Sequence, residues 1–154
     1  MSKLYLAYGS NLSVPQMMHR CPDAVIVGKA SLYNWKLVFR YHATIEPHKD
    51  GSLPVLIWEI SDRDEANLDR YEGFPKYYVK ENISLRMTDL RGRHSKRVTA
   101  MAYIMTEGRQ IEPPTSGYFQ TIEAGYIRFG FSREILNDAL EEALNHREWE
   151  ERTI

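Results

Sequence analysis

Apolar and polar positions alternate along Lys3–Tyr8, the period-two pattern of a half-buried strand. Two more stretches rich in β-branched and aromatic residues, Val25–Leu32 and Trp35–Tyr41, read as strands meeting at Asn34. Thr44–Asp50 reads as a short strand running into a turn, and Val55–Ile60, "VLIWEI", as another strand. Tyr77–Arg86 and Arg97–Met105 predict a strand pair around the polar loop "MTDLRGRHSK". Helical signals fall between and after these strands. Ser13 caps a short helix that has Pro15 in its first turn and closes at Pro22. Ser61 opens a second helix, with Asp64 as its capping-box partner, and Gly73 and Pro75 end it.

Pro113 and Pro114 break the chain before Thr115 or Ser116 caps a helix carrying Tyr118, Ile122 and Tyr126 on one face. Gly130 stops that helix. Ser132 caps a final one, on which Ile135, Leu136, Ala139, Leu140, Ala143 and Leu144 form an apolar stripe. Six or seven strands thus crowd the first two-thirds of the chain, without the strand–helix–strand rhythm of a doubly wound sheet. The expected fold is α+β: a small mixed or antiparallel β-barrel with surrounding helices, a single domain over residues 1–154.

Composition narrows the function classes. The chain has 154 residues, with Lys+Arg 20 against Asp+Glu 21. That balance offers no general attraction to nucleic acid or anionic membrane. No apolar run has the length of about 18 residues that spans a bilayer. Lys3 is not followed by a signal-peptide core, because Tyr8, Ser10 and Asn11 interrupt it. The single cysteine, Cys21, forms no internal disulfide, which fits a reducing cytoplasm. The five histidines, at 19, 42, 48, 94 and 146, lack metal-ligand spacing, so no metal is expected. Cys21 reads as a small buried residue.

Three segments carry candidate chemistry. In "LYLAYGSNL" a strand ends in Tyr8-Gly9-Ser10-Asn11 and a helix follows within a few residues. Glycine there suggests a backbone conformation that a side chain would forbid. A strand end, a glycine turn and a helix start together aim backbone N–H groups one way, a cradle for a carboxylate or a developing oxyanion. An ordinary self-capping turn is the alternative. Ser10 is a poor nucleophile candidate, because Tyr8 and Leu12 replace the glycines of a G-x-S-x-G elbow. In "LDRYEGFPKYY", Glu72 lies four residues after Leu68 at a helix end, so it faces the same way as a core leucine. The helix dipole and partial burial both raise the pKa of such a carboxylate, as a general base requires. Pairing with Arg70 or Lys76 at the surface is the alternative. In "PPTSGYFQTIEAGY", Tyr118 stands near a helix start, either as a hydrogen-bond donor to a ligand or as a core aromatic.

Taken together and in order, "YGSNL", "ATIEP" leading to "WEIS", "LDRYEGFPKYY" and "PPTSGY" resemble the gamma-glutamylcyclotransferase-like family. These elements span about residues 4 to 126. The resemblance implies a small β-barrel core and release of 5-oxoproline from a γ-glutamyl compound, with no metal or organic cofactor. It places the substrate loop on Tyr8, Gly9, Ser10, Asn11 and Leu12, the acid/base glutamate on Glu72, and the late pocket tyrosine on Tyr118. The implied partner is a small γ-glutamyl substrate rather than nucleic acid or membrane. Two rival classes stay open: a non-catalytic module binding a γ-glutamyl-like molecule, and a protein-interaction domain using the C-terminal helix. The leaving amine and the oligomeric state are not fixed by the sequence.

Overall fold

The structure, a computed structural model, describes residues 2–153. Among the described residues five strands and four α-helices run in the order β1 (Ser2–Ala7), α1 (Val14–Arg20), β2 (Val25–Arg40), β3 (His42–Ser61), α2 (Asp62–Glu72), β4 (Tyr78–Thr88), β5 (Ser95–Met105), α3 (Ser116–Arg128) and α4 (Glu134–Thr153). The strands form a strongly curved sheet in the order β1-β3-β2-β4-β5. Most neighbours are antiparallel, with β1 matched to β3 from Ser2↔Ser61 to Ala7↔Leu56. The sheet closes on itself through two thin seams, a parallel pairing at Tyr5↔Met101 and an antiparallel one at Lys29↔Thr88. The expected small barrel is therefore present, but it is a loosely closed one.

The strand count is corrected from six or seven to five. Val25–Leu32 and Trp35–Tyr41 are one strand, because Asn34 takes a left-handed conformation (φ 67°) that bulges the strand without ending it. Asn34 Oδ1 accepts from the amide of Asp50 at 3.3 Å, tying the bulge across to the partner strand. Thr44–Asp50 and Val55–Ile60 likewise fuse into β3. The run Val55–Trp58 is buried at every residue, so both faces of the sheet are covered there.

The predicted helix ends hold. Ser13 accepts from the Gln16 amide, and Ser61 and Asp64 make the reciprocal capping box. Gly73 ends α2 with φ 65°, a conformation only glycine takes cheaply. Thr115 caps α3 by accepting from the Tyr118 amide. Ser132 Oγ accepts from the Glu134 amide at the start of α4. On α4 the stripe narrows to Leu136, Ala139 and Ala143 in the core, while Leu144 is exposed.

Candidate active site

After β1 the chain passes through Tyr8 and Gly9 into a short 3-10 turn, Ser10–Leu12. The Leu12 and Ser13 amides donate to the Gly9 and Ser10 carbonyls, each at 3.0 Å. The amides of Gly9, Ser10 and Asn11 have no backbone acceptor among the described residues. This turn stands where "YGSN" leads one to expect a cradle, and its geometry differs from that expectation at two residues. Leu12 does not face the cavity: it is fully buried, and its amide is taken up by the turn. It packs against α3 at Gly125, where an added Cβ would lie 2.5 Å from Leu12 Cβ and 2.8 Å from its carbonyl oxygen. Gly9 has φ −122°, so no left-handed conformation demands glycine. A single Cβ there would make only ordinary contacts, with Ala43 Cβ at 3.4 Å and the Tyr118 hydroxyl at 3.7 Å, so a larger, branched side chain rather than any side chain would crowd the turn.

Tyr8 and Asn11 fix the loop from within. The Tyr8 hydroxyl donates to the Tyr103 carbonyl at 2.6 Å. Asn11 Nδ2 donates to the Tyr5 hydroxyl at 2.9 Å, and its Oδ1 accepts from Gln16 Nε2 at 3.3 Å and Arg20 Nη1 at 3.0 Å. The Asn11 carbonyl is thus saturated by the protein, and its side chain stitches the loop to α1.

Glu72 is the last residue of α2. Leu68, one turn earlier, is fully buried, and this turns Glu72 inward as the spacing predicts. The carboxylate has no hydrogen bond and no ion pair within 4 Å among the described residues, so it is not held by Arg70 or Lys76. Burial pushes its pKa up to about 7, against the opposing pull of the Arg20 charge. Five tyrosines surround it closely enough that its charge opposes their ionisation: Tyr5, Tyr8, Tyr78, Tyr103 and Tyr118. Their hydroxyls make hydrogen bonds to other groups. Tyr78 donates to the Ala43 carbonyl at 2.8 Å, Tyr103 to Asp69 Oδ1 at 2.7 Å, and Tyr118 accepts from the Ala43 amide at 3.1 Å. Burial pushes the Tyr118 hydroxyl up to about 12, so it stays a neutral donor at ordinary pH.

These groups enclose a cavity of about 200 Å³. Tyr8, Gly9, Ser10, Asn11, Glu72 and Tyr118 all line it. A larger groove of about 860 Å³, between Ile45, Val79 and Met105, contains none of them. The sequence reading missed Tyr5, Arg20, His42 and Tyr78, which also line the cavity. Arg20 was findable: it follows Gln16 by four residues on α1, and both reach Asn11. His42, at the start of β3, is one of the five histidines without metal-ligand spacing. Its ring meets that of Tyr118 edge-on at 5.2 Å, and burial with the Arg109 charge holds its pKa below the ordinary value. Cys21 is buried, and burial raises its thiol to about 12, which leaves it unreactive. Among the described residues no His, Cys, Asp and Glu side chains group as metal ligands, and no helix is long and apolar enough to cross a membrane.

The sequence model of the family described as "Gamma-glutamyl cyclotransferase, AIG2-like" matches residues 5–121. The chain belongs to this family. A mouse gamma-glutamylcyclotransferase is 30% identical over 143 residues, covering 85% of this chain and 73% of the relative. A human one is 29% identical over 146 residues, covering 86% and 74%. A solved structure titled "Gamma-glutamyl cyclotransferase" superposes with a TM-score of 0.74 at 27% identity, covering 90% of this chain and 86% of that one. The matched family span holds both the "YGSN" turn and the helix that ends in Glu72. The gamma-glutamyl cyclotransferase fold therefore brings the two most distinctive sequence segments to one cavity.

Proposed function

We propose that the chain releases 5-oxoproline from a γ-glutamyl compound by intramolecular attack of the glutamyl α-amine, with Glu72 as general acid/base. The observation that carries this reading is an unpartnered carboxylate in a cavity, with its pKa raised to about 7. A base poised near neutrality both holds and gives up a proton readily.

In this reading the substrate supplies its own nucleophile. The protein holds the chain folded so that the α-amine meets the γ-carbonyl, a geometry worth several kcal/mol of barrier. The α-ammonium gives up one proton to solvent, and Glu72 takes a second from the nitrogen as it attacks. A C–N bond forms to close the five-membered lactam, and the C–N bond to the departing amine breaks. Glu72 returns the proton to that amine, so the carboxylate ends as it began. The amides of Gly9, Ser10 and Asn11 would polarise the γ-carbonyl as negative charge develops on its oxygen. Tyr118, beside Gly9, would orient the glutamyl group. The tyrosine wall limits water and so favours ring closure over hydrolysis. The lone buried cysteine supports a reducing compartment, and the cytoplasm is the location proposed.

The test is mass spectrometry for 5-oxoproline across a panel of γ-glutamyl compounds whose leaving groups are amino acids, the ε-amine of lysine, peptides and acylated amines. Release from at least one of them is expected. Binding without release from any compound would make the chain a non-catalytic binding module and overturn the proposal.

A further inference from the structure

The groups lining the cavity include one carboxylate, Glu72, and one permanent cation, Arg20. Arg20 lies in the last turn of α1 and is fixed there by neutral partners. Its Nη1 donates to Asn11 Oδ1 at 3.0 Å, its guanidinium lies 4.3 Å from the centre of the Tyr71 ring, and its carbonyl accepts from Asn67 Nδ2 at 2.9 Å. It forms no ion pair with a carboxylate within 4 Å among the described residues. A guanidinium has five N–H donors, and Asn11 uses one. An arginine kept for structure alone is usually neutralised by an acid when drawn into the protein. Here an amide oxygen and an aromatic face hold the charge in place without neutralising it. The charge also reaches the cavity interior, where it opposes the upward shift of Glu72 and of Tyr118.

We propose that Arg20 is the anchor for the α-carboxylate of the γ-glutamyl group, so that Arg20 and Glu72 grip the two ends of one amino-acid head. This rests on the cyclotransferase reading above and assigns to Arg20 a binding role that the sequence motifs do not. An α-amino acid head carries one anionic and one cationic group on the same carbon. A cavity with one fixed cation and one unpartnered carboxylate, not bonded to each other, is complementary to that pair. Arginine suits the carboxylate because its planar fork makes two parallel hydrogen bonds. With the carboxylate held at Arg20, the α-amine is directed toward Glu72, where its proton must go.

The experiment compares γ-glutamyl-p-nitroanilide with 4-aminobutanoyl-p-nitroanilide. The second compound is the first without its α-carboxylate, and it closes to 2-pyrrolidinone. Neither leaving group carries a carboxylate, so any effect of Arg20 falls on the glutamyl head. The wild-type protein should favour the γ-glutamyl compound in kcat/KM by roughly ten- to a hundredfold, the worth of a charge-assisted contact. Arg20→Met should bring that preference to within about threefold, mainly through KM, and Arg20→Lys should restore part of it. The acid limb of the Arg20→Met pH profile should move to higher pH, because a positive charge near Glu72 is gone. Comparing two substrates within one variant cancels any general loss of folded protein. An Arg20→Met protein that keeps the wild-type preference would overturn the assignment. If the wild-type protein releases nitroaniline from neither compound, the panel of γ-glutamyl compounds above still decides the cyclotransferase reading on its own. Calorimetry of 5-oxoproline against 2-pyrrolidinone then decides: selective binding lost in Arg20→Met upholds the anchor, and equal binding by wild type and variant refutes it.

Discussion

Replacing Glu72 by Gln keeps the side chain's size and removes its charge. The folded protein holds this carboxyl near a pKa of about 7 against an ordinary 4.5. That gap corresponds to about 3 kcal/mol at 1.36 kcal/mol per pH unit, and partial solvent access through the cavity reduces it to roughly 2. The sign follows from linkage. A carboxyl whose pKa is raised on folding binds more protons in the folded state than in the unfolded one. Stability therefore falls as pH rises from about 4.5 through about 7. The Gln variant lacks this penalty. It should match the wild-type protein at pH 4.5 or below and exceed it at pH 8 by roughly 2 kcal/mol, a rise in Tm of about 4–8 °C for a chain of this size. Turnover should fall roughly 10²–10⁴-fold, because no group remains to move the proton. Thermal denaturation at pH 5 and pH 8, alongside 5-oxoproline release at pH 8, gives both readouts. A Gln variant turning over within about threefold of wild type would show that Glu72 is not the base. A Tm difference that is the same at both pH values would refute the claim that burial of the charge sets its pKa. Loss of activity through unfolding would make the glutamate structural.

Other outcomes follow from the same geometry. In the wild-type protein, kcat/KM should rise with pH through an apparent pKa of about 7, where Glu72 loses its proton, and the pH–rate profile checks this. Gly9→Ala should stay active, since its Cβ makes ordinary contacts at 3.4 and 3.7 Å. Gly9→Val should lose roughly tenfold or more in kcat/KM while staying folded, because branching crowds Tyr118 and displaces the bound group. Gly125→Ala puts a Cβ 2.5 Å from Leu12 and should cost about 1–3 kcal/mol by denaturant titration, with a rise in KM as the loop shifts.

The sequence by itself determined the helix caps, the α+β class and the inward aim of Glu72. Those features are local. Ser61 with Asp64, Thr115 with Tyr118, and Leu68 with Glu72 are each three or four residues apart, so helical geometry alone relates them. The tertiary structure decided what the chain does beyond a turn or two. Asn34 looked like a strand break, but pairing with β3 carries β2 through it as a bulge. Leu12 shares the "YGSN" turn in sequence, yet the fit against Gly125 takes it into the core. Tyr78, at the start of β4, and His42, at the start of β3, join the cavity because the folded sheet brings those two strand ends together, with the Tyr78 hydroxyl donating to the Ala43 carbonyl at 2.8 Å, a juxtaposition no local pattern encodes. The pKa of Glu72 is the clearest case. The helix end made a raised value reasonable, but the magnitude comes from burial among tyrosines drawn from β1, β4, β5 and α3 and the turn after β1. Desolvation depends on everything packed around a group, and that is fixed only when distant parts of the chain meet.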